Sequence, residues 1–566
     1  MPTELEDAQQ SPERQMLIEA AEKGSGAKLW TYLRLSGPGW LQSAITLGGG
    51  SLAGSLYLGV LAGYSLMWLQ VMAMVMGVIM LSAISYVTLS TGKRPFQAIN
   101  DHINPVLGWG WAIATLVANI VWCLPQFSLG TAAVTQNLLP NMTSDTDIAI
   151  ICAVMLTIAI IITWFYDSGS WGIRLYEGML RLLVGAIVIC FFGVVIKISL
   201  SGEGLPWDEI MAGFVPNLNM LSQPAATFKE ALAATGGSSD FWSQMIVDMQ
   251  RDVMITAVAT AVGINMTFLL PYSMLRRGWD KHFRGLAVFD LSTGMAIPFI
   301  MATGCVVIAS ASQFHAKPAA GLLDDGSGVT APAKMVSAYQ GILQSRVSNQ
   351  AGADYANLSD DEKQKLAEAL PEADKRMAAM LVKRDAFNLA NSLAPLIGRD
   401  FANYVFGFGV LGMALSTITI LMLISGFTFC EILGLPPEGL PHRLGCMAPA
   451  IGVLGPFVWS GKAAFWLAVP TSVFGMVLLP IAYGTFFLMM NSRSILGNDL
   501  PQGGKRIFWN VLMLIALSLS AFGAGWAIWS KSQWYGVAGA AAFLGLALIV
   551  HFIRPPKPGP IATEKP

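Results

Sequence analysis

Three glycines and a serine, Gly48, Gly49, Gly50 and Ser51, stand in the middle of an apolar stretch, Leu35 to Leu61, otherwise long enough to cross a membrane as one helix. Glycine costs about 1 kcal/mol relative to alanine inside a helix, so the triplet favours local unwinding and frees N–H and C=O groups within the bilayer. Freed backbone at that depth lines a solute pathway, unless the small residues serve only close helix-to-helix approach. The chemistry on offer is coordination and hydrogen bonding by main chain and hydroxyls. A second group of polar residues is stranded in apolar segments: Gln42, Ser43 and Thr46, then Asn119 and Gln126, Asn265 and Thr267, Ser416, Thr417 and Thr419, and Thr471 and Ser472. Serine and threonine often bond back to their own helix, whereas an amide in hydrocarbon needs several partners, which singles out Gln126 and Asn265. Asn265 precedes Pro271 by six residues, and a proline there removes a helical hydrogen bond and is expected to interrupt the helix.

The elements that must position these groups are membrane spans. Of 566 residues, 54% are hydrophobic and 12% charged, with a mean hydropathy of +0.56, far from a soluble composition. Taking about 20 apolar residues per crossing gives about twelve spans, near 36–59, 66–90, 108–139, 147–166, 178–199, 253–275, 286–311, 400–429, 444–461, 464–490, 508–530 and 534–553. The first 30 residues are polar and lack a short apolar core with a small-residue cleavage site, so span 1 is expected to act as an uncleaved insertion signal. Lys93, Arg94, Arg174, Arg276, Arg277, Lys281, Arg284, Arg443, Arg493, Lys505 and Arg506 fall in alternate loops, which predicts that those loops and both termini are cytoplasmic. The expected setting is a bacterial inner or plasma membrane. Two connections exceed a turn: an external loop, 200–252, and an insertion, 314–385, in which Pro332 to Leu343 and Leu358 to Met380 have helical character. The insertion is read either as a small external cap or as a solvated segment without fixed structure.

Other chemistry is absent from the pattern. Cys123, Cys152, Cys190, Cys305, Cys430 and Cys446 are scattered singly, and His102, His282, His315, His442 and His551 make no metal pair. No nucleophile elbow, phosphate-cradling loop or His-Glu metal pattern occurs in the required context, so neither an enzyme nor a resident cofactor is expected. With a net charge of −1 the basic residues serve topology and not nucleic acid; the expected partners are a small solute or ion and the bilayer, and the chain is expected to be a monomer.

A glycine-broken span 1 and a proline-interrupted span 6, each opening a five-helix set, form the pattern of an inverted-repeat transporter with a site at the midplane. This divides the chain into a tail, 1–35, a first repeat, 36–199, a second repeat, 253–490, a final pair of spans, 508–553, and a second tail, 554–566. Ordered motifs along the chain then resemble one family. Gly37-Pro38-Gly39-Trp40-Leu41, Gly63-Tyr64-Ser65-Leu66-Met67-Trp68, Thr91-Gly92-Lys93, Ser416-Thr417-Ile418-Thr419, Arg443 with Ala448-Pro449, Leu479-Pro480-Ile481-Ala482 and Asn491 to Gly497 are similar to segments of the NRAMP metal-ion transporters. The resemblance implies an all-α polytopic membrane protein of LeuT-type 5+5 inverted-repeat architecture, with helices 1 and 6 broken.

It also marks departures. The family's Asp-Pro-Gly-Asn motif falls on Gly48-Gly49-Gly50-Ser51, so both metal ligands of that motif are missing. Its Met-Pro-His motif falls on Thr267-Phe268-Leu269, or one residue earlier with Met266; its later histidine falls on Met274, its helix 10 glutamine on Ser472, and its helix 3 acids on apolar residues such as Leu124 and Phe127. Dehydrating a divalent ion without an anionic partner costs many kcal/mol, so glycine carbonyls and hydroxyls suit a weakly held or hydrated cation, or the carboxylate of a small organic solute, better than dehydrated manganese or iron. Three readings stand: a transporter of this type with an altered substrate, a metal-ion transporter using other ligands, and a non-transporting receptor or scaffold. The candidate substrate-binding residues are Gly48, Gly49, Gly50 and Ser51, faced by the Ile264 carbonyl, Asn265, Thr267 and Ser472, with Thr46 and Gln126 behind them. No metal ligands are assigned.

Overall fold

A computed structural model describes residues 12–166, 169–200, 204–323, 330–384, 386–458 and 462–554, the side chains of 170, 260, 334, 386, 396, 397 and 462–474 excepted. It is 85% helical, with no strand among the described residues. Eight helices among the described residues are long and apolar enough to cross a bilayer, and two bent pairs bring the number to ten. The last of them, Gly503–Ile553, is kinked at Gln533, whose φ of 45° reverses the chain so that Arg554 returns to the Asp101 carbonyl. That helix thus contains both of the final two expected spans.

Burial separates the core of the bundle from its rim. The most apolar window of span 8, Arg399–Ile432, is 83% buried, whereas that of Gly503–Ile553 is 6% buried, so the former is a central post and the latter a peripheral hairpin with apolar residues such as Leu546 and Phe552 turned outward. Span 3, Pro105–Ala133, lies beside span 8 and starts sharply: Pro105 occupies the first turn, the Asn104 side chain accepts from Val106 N at 2.9 Å, and its amide donates to the Ala547 carbonyl at 2.7 Å.

Both interrupted spans are broken, one where expected. Span 1 splits into Pro38–Thr46 and Gly49–Ala62 at an angle of 55°, with Leu47 and Gly48 between them. Span 6 splits into Ser239–Ala261 and Ile264–Arg276 at Val262 and Gly263, both extended. Pro271 lies inside the second half and does not make the break, a correction to the sequence expectation. A proline in an established helix removes one hydrogen bond, whereas extended backbone at two successive residues ends the ladder. The first half also starts at Ser239, well before the expected 253, within the segment read as external loop. The segment expected as the ninth span, 444–461, is a 3₁₀ run, Ala448–Leu454, followed by the short helix Gly455–Val458, to the last residue described. It lies so close to span 3 that a Cβ on Gly455 would stand 2.0 Å from the Leu124 carbonyl oxygen.

The insertion is folded over its described residues, and the second helical stretch expected in it is two helices. Ala333–Ala351, Asp360–Glu368 and Glu372–Leu381 form a cap in which the Ser359 side chain and Glu362 make a capping box. Buried Asp374 fastens it to span 6, accepting from Ser238 Oγ and Trp242 Nε1, each at 2.6 Å, and facing Arg346 Nε at 3.5 Å. The Leu381 carbonyl accepts from Tyr57 Oη of span 1 at 3.2 Å. Asp374→Ala leaves these donors without an acceptor and is expected to loosen the cap by about 3 kcal/mol, read as faster limited proteolysis within 330–384; wild-type cleavage rates would show that the cap is held by other contacts.

His315 ties the same end of span 1 to the loop before span 6. Its Nδ1 lies 2.9 Å from the Val60 carbonyl and its Nε2 2.7 Å from Thr227 Oγ1, and burial pushes its pKa below the usual histidine value. A depressed folded pKa means that the stabilisation is complete above the unfolded value, about 6.5, and is lost as pH falls through the folded one. Thermal unfolding at pH 7.5 and 5.5 is therefore expected to show a drop that His315→Gln reduces. An equal drop in the variant would assign the pH dependence elsewhere.

The residues before span 1, expected as a polar tail, form helices Pro12–Lys23 and Ser25–Leu35 from residue 12 on. Glu13 meets Arg277 Nη2 at 3.4 Å and Trp279 Nε1 at 3.4 Å, so the first of these helices is held against the end of span 6.

Candidate functional site

The two breaks meet one face of span 3. Gly49 N donates to Gln126 Oε1 at 3.0 Å, and a Cβ on Gly263 would stand 2.7 Å from the Trp122 ring. Gln126 and Trp122 are four residues apart, one helical turn, so a single stripe of span 3 touches both interruptions. Span 8 closes the other side of the span 1 break: Ser416 Oγ donates to the Ala44 carbonyl at 3.0 Å, and a Cβ on Gly48 would stand 2.6 Å from Thr417 Oγ1. Only glycine leaves that approach open.

Around this frame the predicted residues fall into distinct positions. Gly48 caps the second half of span 1 with extended backbone, and its carbonyl accepts from Ser51 Oγ at 2.8 Å and Leu52 N at 3.1 Å. Gly50 is exposed, as is Ala53, while Gly48 and Ser51 are buried, so the first turn of that half has one open face. Thr46 does not face the opening as a free hydroxyl: it donates to the Ser43 carbonyl at 2.9 Å. In span 6 the Ile264 carbonyl accepts from Thr267 Oγ1, which in turn accepts from Trp111 Nε1 at 2.9 Å, so neither atom is idle. Asn265 is fully buried, its Oδ1 accepting from Met266 N at 2.9 Å and its Nδ2 lacking a partner. Met266 places its thioether against Gly263 N at 3.4 Å, so the sulfur stands at the break itself. Ser472, like Thr471, lies outside the residues whose side chains are described.

The site carries no formal charge on these residues. Among the described residues no group of three His, Cys, Asp or Glu side chains could hold a metal ion. The charges that matter lie at the other end of the first half of span 1. Buried Asp290 of span 7, Lys281–Phe314, accepts from Ser36 Oγ, from Gly37 N at 3.1 Å and from Gly39 N at 2.6 Å. Glu177 of span 5, Trp171–Ser199, lies 3.5 Å from both Arg277 and Arg181, and Arg277 also donates to the Leu35 carbonyl at 3.2 Å. Gly39 allows this packing, since a Cβ there would stand 2.3 Å from the Asp290 carbonyl oxygen. Sequence reasoning missed Asp290 and Glu177 as a clamp; an acid within an apolar run was the available signal. It also left Thr417 out of the candidate set although the hydroxyl is buried and has no partner.

Two broken spans set against a pair of continuous ones define the LeuT-type class of membrane bundle. Crystal structures of the Eremococcus coleocola manganese transporter share this fold: a point variant superposes with a TM-score of 0.52 at 14% identity over 94% of this chain and 96% of that one. The form bound to an aromatic bis-isothiourea compound gives 0.50 with the same identity and coverage. By sequence, the chain matches the family described as natural resistance-associated macrophage protein-like over residues 39–342 and 372–524. It belongs to that family, abbreviated NRAMP. Metal transporter Nramp2 of Populus trichocarpa is 26% identical over 215 residues, covering 38% of this chain and 36% of that protein. Manganese transporter pdt1 of Schizosaccharomyces pombe is 22% identical over 196 residues, covering 34% of this chain and 35% of that protein. The matched part is thus little more than a third of the length of these relatives.

Proposed function

We propose that this chain is a secondary membrane transporter working by alternating access, whose central site takes a weakly held cation or a small organic solute in place of a dehydrated divalent metal. The observation that carries this reading is the neutrality of the break: Gly48, Gly49 and Ser51 are flanked by Gln126, Thr417, Asn265 and Trp122, none of them anionic. The open face at Gly50 and Ala53 is the side from which a solute would enter, and the positive end of the helix beginning at Gly49 would favour a carboxylate there. Residues 36–199 and 253–490 act in this reading as the two inverted halves, and the distribution of basic residues among the loops favours cytoplasmic termini.

The second reading is divalent metal transport with other ligands. Family membership and relatives named as metal transporters favour it, as does the Met266 sulfur at the span 6 break, a soft donor. Uptake into proteoliposomes separates the readings, using a panel of alkali cations and zwitterionic amino acids. Accumulation of one of these above protein-free liposomes is expected; no accumulation of any of them would overturn the first reading.

A further inference from the structure

We propose that the helix Ser25–Leu35 lies in the headgroup region of the bilayer beside the entry of span 1, with its outer face on anionic lipid. Leu29, Trp30 and Leu33 turn outward on this helix, 52%, 71% and 52% exposed. At about 100° per residue they share with Gly26 a stripe about 100° wide. The buried Leu35 and the half-buried Thr31 lie on the opposite side. One exposed leucine needs no explanation, whereas two leucines and a tryptophan in one stripe form an unpartnered apolar face.

The depth of the helix says what covers that face. Away from the stripe, the Tyr32 ring stands 5.4 Å from that of Phe289, and a Cβ on Gly285 would stand 2.6 Å from Tyr32 Oη. Gly285 and Phe289 belong to the opening turns of span 7, Lys281–Phe314, and Pro38, three residues past Leu35, opens span 1. The helix therefore sits at the level where two spans enter the bilayer, and its stripe continues their lipid-facing surface. Charge agrees with this placement. The helix carries Lys28 and Arg34 and no acid, and neither forms an ion pair among the described residues. Basic side chains flanking an apolar stripe with a tryptophan suit an anionic membrane surface. Residues 1–11 offer only Met1 and Leu5 as large apolar side chains, too few to cover the stripe instead.

The placement gives lipid a hold on the clamp at the start of span 1. Helix Pro12–Lys23 joins the lipid-facing helix through Gly24 alone, and it carries Glu13 to Arg277 and Trp279, and Arg14 to Asp280 at 3.7 Å. Arg277 also holds the Leu35 carbonyl and Glu177. A helix pair lifted from the membrane would draw Glu13 away from Arg277, and a lipid-held pair keeps it there. None of this depends on what the protein transports.

The test places an environment-sensitive nitrobenzoxadiazole label at residue 30 of the full-length protein. Trp30→Cys is made in a Cys190→Ala background, the other five cysteines being buried, with Glu22→Cys on the preceding helix as the comparison. Both are reconstituted into phosphatidylcholine liposomes containing phosphatidylglycerol. Lipid brominated on its acyl chains is expected to quench the label at 30 at least about twofold and the label at 22 hardly at all. Brominated phosphatidylglycerol is expected to quench more than brominated phosphatidylcholine at equal mole fraction, and Lys28→Gln with Arg34→Gln to remove that difference. No quenching at 30, or equal quenching at 30 and 22, would overturn the placement. Blue-shifted emission at 30 without quenching would mean that protein covers the stripe, from residues 1–11 or a second copy, and would overturn it as well. Equal quenching by the two brominated lipids would overturn the anionic preference. Leu29→Gln with Leu33→Gln changes only exposed side chains, so the unfolding temperature should hold while quenching at 30 falls towards that at 22; undiminished quenching would show that the stripe is not what meets the lipid.

Discussion

Gly49→Leu is expected to reduce solute flux in proteoliposomes to that of protein-free liposomes while leaving the protein folded and inserted. A Cβ at position 49 would stand 2.7 Å from Leu129 Cδ2 and 3.1 Å from Gln126 Oε1, so a leucine must push into span 3 where the Gly49 N–H is held. Overpacking of this kind costs about 1–3 kcal/mol, and 3 kcal/mol falling on the conformers that carry solute corresponds to a loss of about 100-fold. The fold should tolerate the change, because Gly49 is only half-buried and borders the open face at Gly50. Wild-type flux in this variant would mean that solute does not pass the break.

Asp290→Ala is expected to cost the entry of span 1 much of its stability. The carboxylate is the acceptor for one hydroxyl and two main-chain N–H groups at the start of span 1, and the segment it holds is also tied by Arg277 and Glu177. Removing it strands those donors in a buried place, at about 1–3 kcal/mol for each unsatisfied group, with some relief from rearrangement; a net loss of about 3 kcal/mol is expected. Unfolding in detergent measures it, and Asp290→Asn should fall between the two, keeping one acceptor oxygen. A change of less than about 0.5 kcal/mol, the size expected of a surface substitution, would show that the span 1 entry is held by other contacts. The same clamp gives the first half of span 1 a defined place to detach from, which alternating access would use.

The span 1 break is legible in the residues themselves, because three glycines leave a helix with few alternatives inside a bilayer. In span 6 the sequence points to Pro271 while the chain breaks at Val262 and Gly263: a proline is a louder signal than one glycine, although extended backbone at two residues breaks a helix more completely. Hydropathy counts 444–461 as a span because it sums apolarity and does not weigh Gly445, Pro449, Gly452, Gly455 and Pro456, which favour the 3₁₀ run beside span 3. Asp290 is visible as an acid in an apolar run, but its partners are some 250 residues away in the chain. Thr417 looks like any hydroxyl that bonds back to its own helix; its lack of a partner is visible only in the packed bundle. The hydrogen bonds of the Ile264 carbonyl and Thr46 hydroxyl depend on local turns that sequence spacing does not reveal.

A neutral site between the broken helices has its most direct test in manganese uptake. Purified protein in liposomes with an internal metal-sensitive dye is compared with an active NRAMP manganese transporter and with empty vesicles. No saturable manganese uptake is expected beside a working control. Saturable uptake that Gly49→Leu abolishes would contradict the altered-substrate reading, because a site without a carboxylate would then be handling a divalent ion.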